Sequence, residues 1–144
     1  MTILSIVIIL FLVLESSNVF FLYFFPETKK GNGLGIFNAY HASKENPEVH
    51  ALVKYLVNWI AGTKLIFIAL LIVILIIGDE SIKLWTVLVL ILTITTFFWR
   101  LYPLIRSMDK QNQLSPKGYS KTLAVMIASF VLVFISAMII YLVF

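Results

Sequence analysis

Four long apolar segments, separated by shorter polar stretches, dominate this sequence and leave few folds open to it. They cover approximately residues 1–25, 56–77, 82–105 and 122–144. A helix needs about 20 residues to cross the hydrocarbon core of a bilayer, and each segment meets that length. Backbone polar groups inside a bilayer must be hydrogen-bonded within the protein, which favours helices. The pattern predicts an all-α fold, an integral membrane protein built as an antiparallel four-helix transmembrane bundle.

The composition excludes several other classes of protein. The chain has 144 residues, of which 61% are hydrophobic and 12% are charged, a balance that a soluble fold of this size could not accommodate. The sequence contains no Cys, which excludes a disulfide-stapled module and thiolate metal sites. The net charge of +4 arises from basic residues beside apolar segments, so lipid head groups are expected as partners and nucleic acid is not.

Two polar connections are long enough to carry function. The first covers residues 26–55 and contains a glycine-rich stretch at 31–35, which favours turns. An amphipathic helix is expected to start within it at Pro47, because Asn46 is a good capping residue and proline suits the first helical position. The second connection covers residues 106–121. Together with the four spans, these connections form a single membrane domain.

The distribution of Lys and Arg predicts the orientation. The two long connections and the helix start carry eight basic residues, whereas the short turn between the second and third spans is followed by Lys83 alone. Basic residues near the ends of spans remain on the cytoplasmic side. The sequence therefore predicts a multi-pass protein of the cell membrane with both termini extracytoplasmic. The eight residues are Lys29, Lys30, Lys44, Lys54, Arg106, Lys110, Lys117 and Lys121.

Glu15 is the most informative single residue. It lies well inside the first span, where an ionised carboxylate is costly unless it is neutral or paired. Lys64, inside the second span, could supply an intramembrane charge pair. The pair could be a fixed structural contact between two helices, or it could set the pKa of a carboxylate that binds protons or cations. Lys64 could instead extend to the head groups and leave Glu15 protonated.

Other polar residues recur within the spans and form a predicted interior stripe. In left-handed bundles, polar residues at heptad spacing face inward, where they bond between helices. Packing and inter-helix hydrogen bonding explain such a stripe, and a pathway for a polar solute is the alternative. Its members are Asn18, Asn58, Thr93, Thr96, Ser129 and Ser136.

Basic residues near the predicted cytoplasmic leaflet form a second candidate site. Their charges suit an anionic lipid head group or a phosphorylated ligand. Topology alone also gathers basic residues there, and Arg100 beside Trp99 is equally explained as an interface anchor. The proposed set comprises Lys54, Arg100, Arg106, His41 and His50.

The sequence provides no assembled catalytic site. His41 and Glu45 offer only a weak metal-binding pattern, so no metal is expected. The glycine stretch lacks the Lys-Ser/Thr of a phosphate-binding loop, and no nucleophile has a histidine partner at the same depth, so neither cofactors nor catalytic residues are predicted.

The chain has a glutamate within the first of four short spans, and in this respect it resembles the small multidrug resistance transporters. In that family a first-helix Glu exchanges protons for cationic drugs. The segment from Thr86 to Thr96 lacks the glycine-rich packing stretch of that family, and Lys64 departs from its pattern. The resemblance covers one residue and the architecture, so the chain is not assigned to the family.

Three functions therefore remain open from the sequence. The first is a non-enzymatic protein that binds a lipid or protein partner at the cytoplasmic leaflet, in an accessory, immunity or regulatory role. The second is a proton-coupled or cation-coupled transporter of small solutes that uses Glu15 and acts as a dimer. The third is a lipid-modifying membrane enzyme. Membrane lipids, a second copy of the chain or another membrane protein are the expected partners.

Overall fold

A computed structural model describes residues 2–30 and 33–143. The fold is all-α, with 84% of the residues helical and no strand in the described ranges. A single turn of 3₁₀ helix, Leu34–Ile36, precedes α2. The helices are α1 Ile3–Phe24, α2 Asn38–Ser43, α3 Pro47–Ile77, α4 Glu80–Thr95, α5 Phe97–Lys110 and α6 Tyr119–Val143.

Four helical segments are long and apolar enough to cross a membrane. They are α1, α3, α6 and the stretch Glu80–Lys110, which comprises α4 and α5. Large apolar side chains cover the outer surface of the described chain; Ile77, for example, is 77% exposed. Since water would penalise such a surface, the bundle is that of a multi-pass membrane protein.

The first helix is the centre of the bundle. In its most apolar window 39% of the residues are buried, against 17% in each of the other three spans. Leu4 and Ile8 are fully buried, and the Phe11 ring makes edge contacts with Phe67 at 6.0 Å and with Phe134 at 5.6 Å between centroids. The helix therefore contacts both α3 and α6, and the residues of α1 are shielded from lipid on several sides.

The third span contains a break that the sequence analysis did not predict. It was expected to end near residue 105, whereas helical structure continues to Lys110 and is interrupted at Thr96. The hydroxyls of Thr95 and Thr96 donate to the carbonyls of Ile91 and Thr93, both at 2.6 Å. Threonines that bond back to the preceding turn compete with the backbone ladder and bend helices, which explains the break.

The two long connections meet at one end of the bundle. Phe37 and Leu114 form an antiparallel bridge, in which the Asn38 amide donates to the Gln113 carbonyl at 3.0 Å and the Ser115 amide donates to the Ile36 carbonyl at 2.8 Å. Leu114 is buried. The bridge places both connections on the same side of the molecule and forms a cap over α1 and α3.

Close packing explains one glycine of the first connection. A Cβ atom at Gly35 would collide with the carbonyl oxygen of Glu27, so the loop can fold back on itself only with glycine at that position. The expected left-handed turn conformations lie elsewhere: the positive φ angles in the described chain belong to Asn112 and Gly118. Residues 31 and 32, which belong to the glycine-rich stretch, lie outside the described residues.

Candidate ligand-binding site

A cluster of three polar residues lies where α1 faces α3. The Lys64 ammonium donates to Glu15 Oε2 at 2.7 Å and to Asn18 Oδ1 at 2.7 Å. The side chain of Glu15 is 23% exposed and that of Lys64 is 30% exposed, so the pair is shielded on most sides and open on one. The structure thus brings together the two residues proposed as a charge pair and adds Asn18, which had been assigned to the polar stripe.

Helix geometry and small residues produce this arrangement. Glu15 and Asn18 are three positions apart and share one face of α1. On α3, Ala61 is fully buried and lies one turn before Lys64, next to Gly62. Small residues allow helix backbones to approach closely. An ammonium group has three N–H donors, and these two contacts occupy two of them.

The charge pair forms the floor of an open cleft of about 620 Å³. Apart from the pair and two threonines, the lining is apolar or aromatic, which is typical of pockets for small molecules. The cleft lies between α1, α3 and α4. The residues that line it are Phe11, Glu15, Trp59, Ile60, Thr63, Lys64, Phe67, Leu90, Thr93 and Ile94.

A second apolar groove of about 390 Å³ continues the cleft toward the far end of the bundle. The two share Phe67 and Leu90 in their walls. The groove runs between α3 and α4, past Ile74 and Trp85, and its lining contains no charged residue. It exists because α3 and α4 follow directly on each other but have few contacts, each packing mainly against other helices.

A third cavity also borders the charge pair. It has a volume of about 380 Å³ and extends between α1, α4 and α6, with Phe130 and Leu123 in its wall. Glu15 and Lys64 line this cavity as well as the cleft. The charge pair is therefore part of the wall of both spaces.

The predicted polar stripe has a different position from the one expected. Asn18 is half-buried, whereas the other five members are exposed on the surface of the chain. The hydroxyls of Thr93 and Ser129 donate to carbonyls of their own helices, each at 2.8 Å. Their hydrogen bonds are therefore satisfied even in apolar surroundings. The five exposed residues are Asn58, Thr93, Thr96, Ser129 and Ser136.

The five basic residues proposed as an anionic-ligand site are placed separately. His50 and Lys54 line one small cavity of about 230 Å³, whose walls include neither Arg100 nor Arg106. Arg100 stacks on the neighbouring Trp99 ring at 5.3 Å, and Arg106 is exposed on α5. His41 Nε2 lies 3.3 Å from the carbonyl oxygen of Gly35. The separation follows from the path of α5, which the sequence pattern does not determine.

An ion pair ties the first connection together beside this cavity. Lys44 donates to Glu27 Oε1 at 2.6 Å. The hydrogen bond and the charge of Lys44 hold the pKa of Glu27 below its ordinary value, and the bond to Glu27 raises the pKa of Lys44. Burial raises the pKa of Tyr40, whose ring lies beneath the Lys44 ammonium at 5.6 Å. Near neutral pH both members of the pair are therefore ionised, and Tyr40 is neutral.

Sequence reasoning missed several of the residues that shape these sites. The cleft walls at Phe67 and Leu90 are ordinary apolar residues with nothing to distinguish them in the sequence. The hydrogen bond between the Ser43 hydroxyl and His50 Nδ1, at 3.1 Å, could have been suspected, since both residues belong to the first connection, but their spacing matches no motif. In the described ranges, no group of three or more His, Cys, Asp or Glu residues could hold a metal ion.

Comparison of the chain with protein-family models, with curated proteins and with solved structures finds no match.

Proposed function

We propose that this small multi-pass membrane protein binds a lipid-like amphiphile, which enters sideways from the bilayer between α3 and α4. One observation carries this proposal: a hydrogen-bonded charge pair, Glu15 with Lys64, forms the floor of an otherwise apolar cleft of about 620 Å³. An open apolar cleft within a membrane is in contact with acyl chains. A charge pair at its floor can hold the polar end of a ligand by hydrogen bonds.

The chemistry of the floor favours an uncharged polar head group. Glu15 and Lys64 compensate each other, so a ligand with a net charge would leave one charge unbalanced in a medium of low dielectric constant. Lys64 has one N–H beyond its two bonds, and Glu15 Oε1 can accept. A hydroxyl or carboxamide group provides both the matching acceptor and the matching donor.

The walls favour an apolar tail. From Trp59 to Ile74, the cleft and the groove that continues it follow sixteen residues of α3, about 22 Å at 1.5 Å per residue. One leaflet of the hydrocarbon core is about 15 Å thick. Lys64 is ten residues before Ile74, so the part of the groove beyond the charge pair is about 15 Å long and could hold a single acyl or isoprenoid chain, with the head group at the charge pair.

The orientation belongs to the same proposal. The positive-inside rule places the bridged connections in the cytoplasm and both termini outside the cell membrane. With that orientation, Trp59 lies toward the cytoplasmic leaflet and the amphiphile enters from that side. The role is accessory or regulatory, since binding requires no turnover.

Quenching of tryptophan fluorescence tests the proposal. Variants that keep only Trp59 or only Trp99 are placed in phosphatidylcholine vesicles containing a small fraction of monoacylglycerol brominated on its chain. Trp59, in the cleft, should be quenched several-fold more than Trp99, which is exposed on α5. Substituting both Glu15→Gln and Lys64→Met should remove that excess.

The matched control is the double variant Glu80→Gln with Lys83→Met, which removes an ion pair of 3.0 Å that does not line the cleft. It should leave the excess quenching of Trp59 unchanged. Quenching of Trp59 in proportion to the bulk fraction of brominated lipid, with no response to the variants of the charge pair, would overturn the proposal.

A second function has one observation in its favour. Because Glu15 and Lys64 line both the cleft and the third cavity, opening and closing of the pair could pass a solute from one space to the other. Proton-coupled transport would then require a pH gradient to drive flux in reconstituted vesicles and Glu15→Gln to abolish it. Equal flux in both proteins would exclude this function.

A further inference from the structure

A small polar cavity lies at the junction of α1, α2 and α3, away from the charge pair. It has a volume of about 230 Å³ and combines polar side chains with apolar walls. The residues that line it are Leu22, Tyr23, Pro26, Glu27, Leu34, Tyr40, His50, Lys54, Val57 and Asn58.

One face of α3 provides half of the polar side chains that line the cavity. His50, Lys54 and Asn58 are spaced four residues apart, so they lie one above another along the helix. All three line the cavity, so residues at a regular spacing in the sequence form one site. His50 contributes an imidazole, Lys54 an ammonium group and Asn58 an amide.

The side chains around the cavity carry a net positive charge. Glu27 is the acidic residue in the wall, and Lys44 neutralises it at 2.6 Å. Lys54 takes part in none of the ion pairs within the described ranges. The hydroxyls of Tyr23 and Tyr40 add neutral groups that can donate.

The hydrogen bonds of His50 determine which ring nitrogen carries its hydrogen. The Ser43 hydroxyl donates its one hydrogen to the Tyr40 carbonyl at 2.7 Å. Its contact with His50 Nδ1 at 3.1 Å must therefore be donated by the ring. In the neutral ring Nε2 is then an acceptor, and it becomes a donor only when the imidazole gains a proton.

We propose that this cavity binds a phosphodiester group, carried by a lipid head group or by a soluble ester. The donors on α3 and the uncompensated charge of Lys54 match a singly charged oxyanion. Trp59, adjacent to Asn58, and Tyr23, near the end of α1, are the residue types that occupy the membrane interface, where lipid phosphates lie. The proposal does not depend on amphiphile binding at Glu15.

The test titrates the protein in a nonionic detergent at neutral pH with dioctanoyl phosphatidylglycerol and, separately, with soluble glycerophosphoglycerol, followed by calorimetry. Both probes carry one negative charge. Binding of both assigns the site to the phosphodiester itself, and binding of the lipid alone assigns it to a head group. Binding of neither overturns the proposal.

Variants locate the binding. Lys54→Gln should weaken it about tenfold and Lys54→Arg should retain it, which separates loss of charge from loss of fold. Lys117→Met, an exposed lysine outside the cavity, is the matched control and should have no effect.

Two outcomes would assign the binding elsewhere and overturn the proposal. One is loss of phosphatidylglycerol binding in Lys64→Met with full binding in Lys54→Gln, which would place the lipid in the cleft. The other is equal affinity for dioctanoylglycerol, which has the same acyl chains but no phosphodiester.

Discussion

Lys64 Nζ lies 2.7 Å from Glu15 Oε2, joining the middle of α1 to the middle of α3. The contacts of the two helices run in opposite order along the chain, since Phe11 meets Phe67 whereas Glu15 meets Lys64. The pair therefore fixes both the register and the rotation of α1 against α3. It also places the polar floor of the cleft toward α4.

Breaking the pair on one side should cost stability. Glu15→Gln leaves the Lys64 charge with only Asn18 as a partner, and we expect a loss on the order of 1 to 3 kcal/mol in the free energy of unfolding. Adding Lys64→Met should recover much of it, because no charge then remains. The measurement is a double-mutant cycle by unfolding in detergent.

Simple additivity of the two losses would contradict this account of the pair. The cycle of Glu27→Gln with Lys44→Met is the control. The side chains of that pair are 60% and 39% exposed, so solvent screens their attraction and their coupling should be weaker than that of Glu15 with Lys64.

The bridge between the two connections predicts a disulfide. Phe37 and Leu114 face each other as a pair without mutual backbone bonds, because the bonds run between their neighbours. The Cα atoms of such a pair are about 4.5 Å apart, which is within the range of disulfides. In this chain without Cys, Phe37→Cys with Leu114→Cys should form an internal disulfide under mild oxidation, seen as a shift in gel mobility. Phe37→Cys with Ser81→Cys should not.

Two glycines should respond oppositely to alanine. Gly35→Ala places a Cβ against the Glu27 carbonyl and should destabilise on the order of 1 to 3 kcal/mol, since the backbone must move. Gly62→Ala meets only the Tyr23 hydroxyl oxygen, at 3.7 Å, and should stabilise α3 by about 0.5 to 1 kcal/mol. Thermal unfolding of both variants checks the prediction, and a neutral Gly35→Ala would contradict the packing of this loop.

The Lys44 to Glu27 pair should stabilise the first connection over a defined range of pH. The folded pKa of Glu27 is lowered, so its contribution is present above 4.5 and is lost as the pH falls through the folded value. The folded pKa of Lys44 is raised, so its contribution is present below 10.5 and is lost as the pH rises through the folded value. The unfolding midpoints of the native protein and of Glu27→Gln should therefore differ near neutral pH and converge in acid. A difference that persists in strong acid would contradict the role of the pair.

The proposed orientation has a direct test. Single cysteines at Ser81 and Lys117 are both at exposed positions, in the first turn of α4 and on the second long connection. An impermeant thiol reagent applied to intact cells should label Ser81→Cys and leave Lys117→Cys unlabelled until the cells are opened. The reverse pattern would invert the topology.

Much of the secondary structure follows from local signals in the sequence. Hydropathy and length locate the four spans, and the predicted helix start agrees with α3, where the Asn46 side chain accepts from the amides of Glu48 and Val49. An unpaired charge within the bilayer is costly, and this cost alone predicted Glu15 and Lys64 as partners in a charge pair. These inferences depend only on neighbouring residues or on the energetics of burial.

The tertiary structure alone decided which faces meet. The spans are apolar nearly all round, and lipid solvates an outward Leu as well as the core does, so hydrophobic patterning says little about the rotation of a helix. For that reason Thr93 and Ser129, which were expected to face the interior of the bundle, are exposed. Asn18 instead accepts a hydrogen bond from Lys64 of the charge pair. The cleft between α3 and α4, and the position of Glu27 beside the α3 face that carries Lys54, likewise depend on helix packing and loop contacts between residues far apart in the chain.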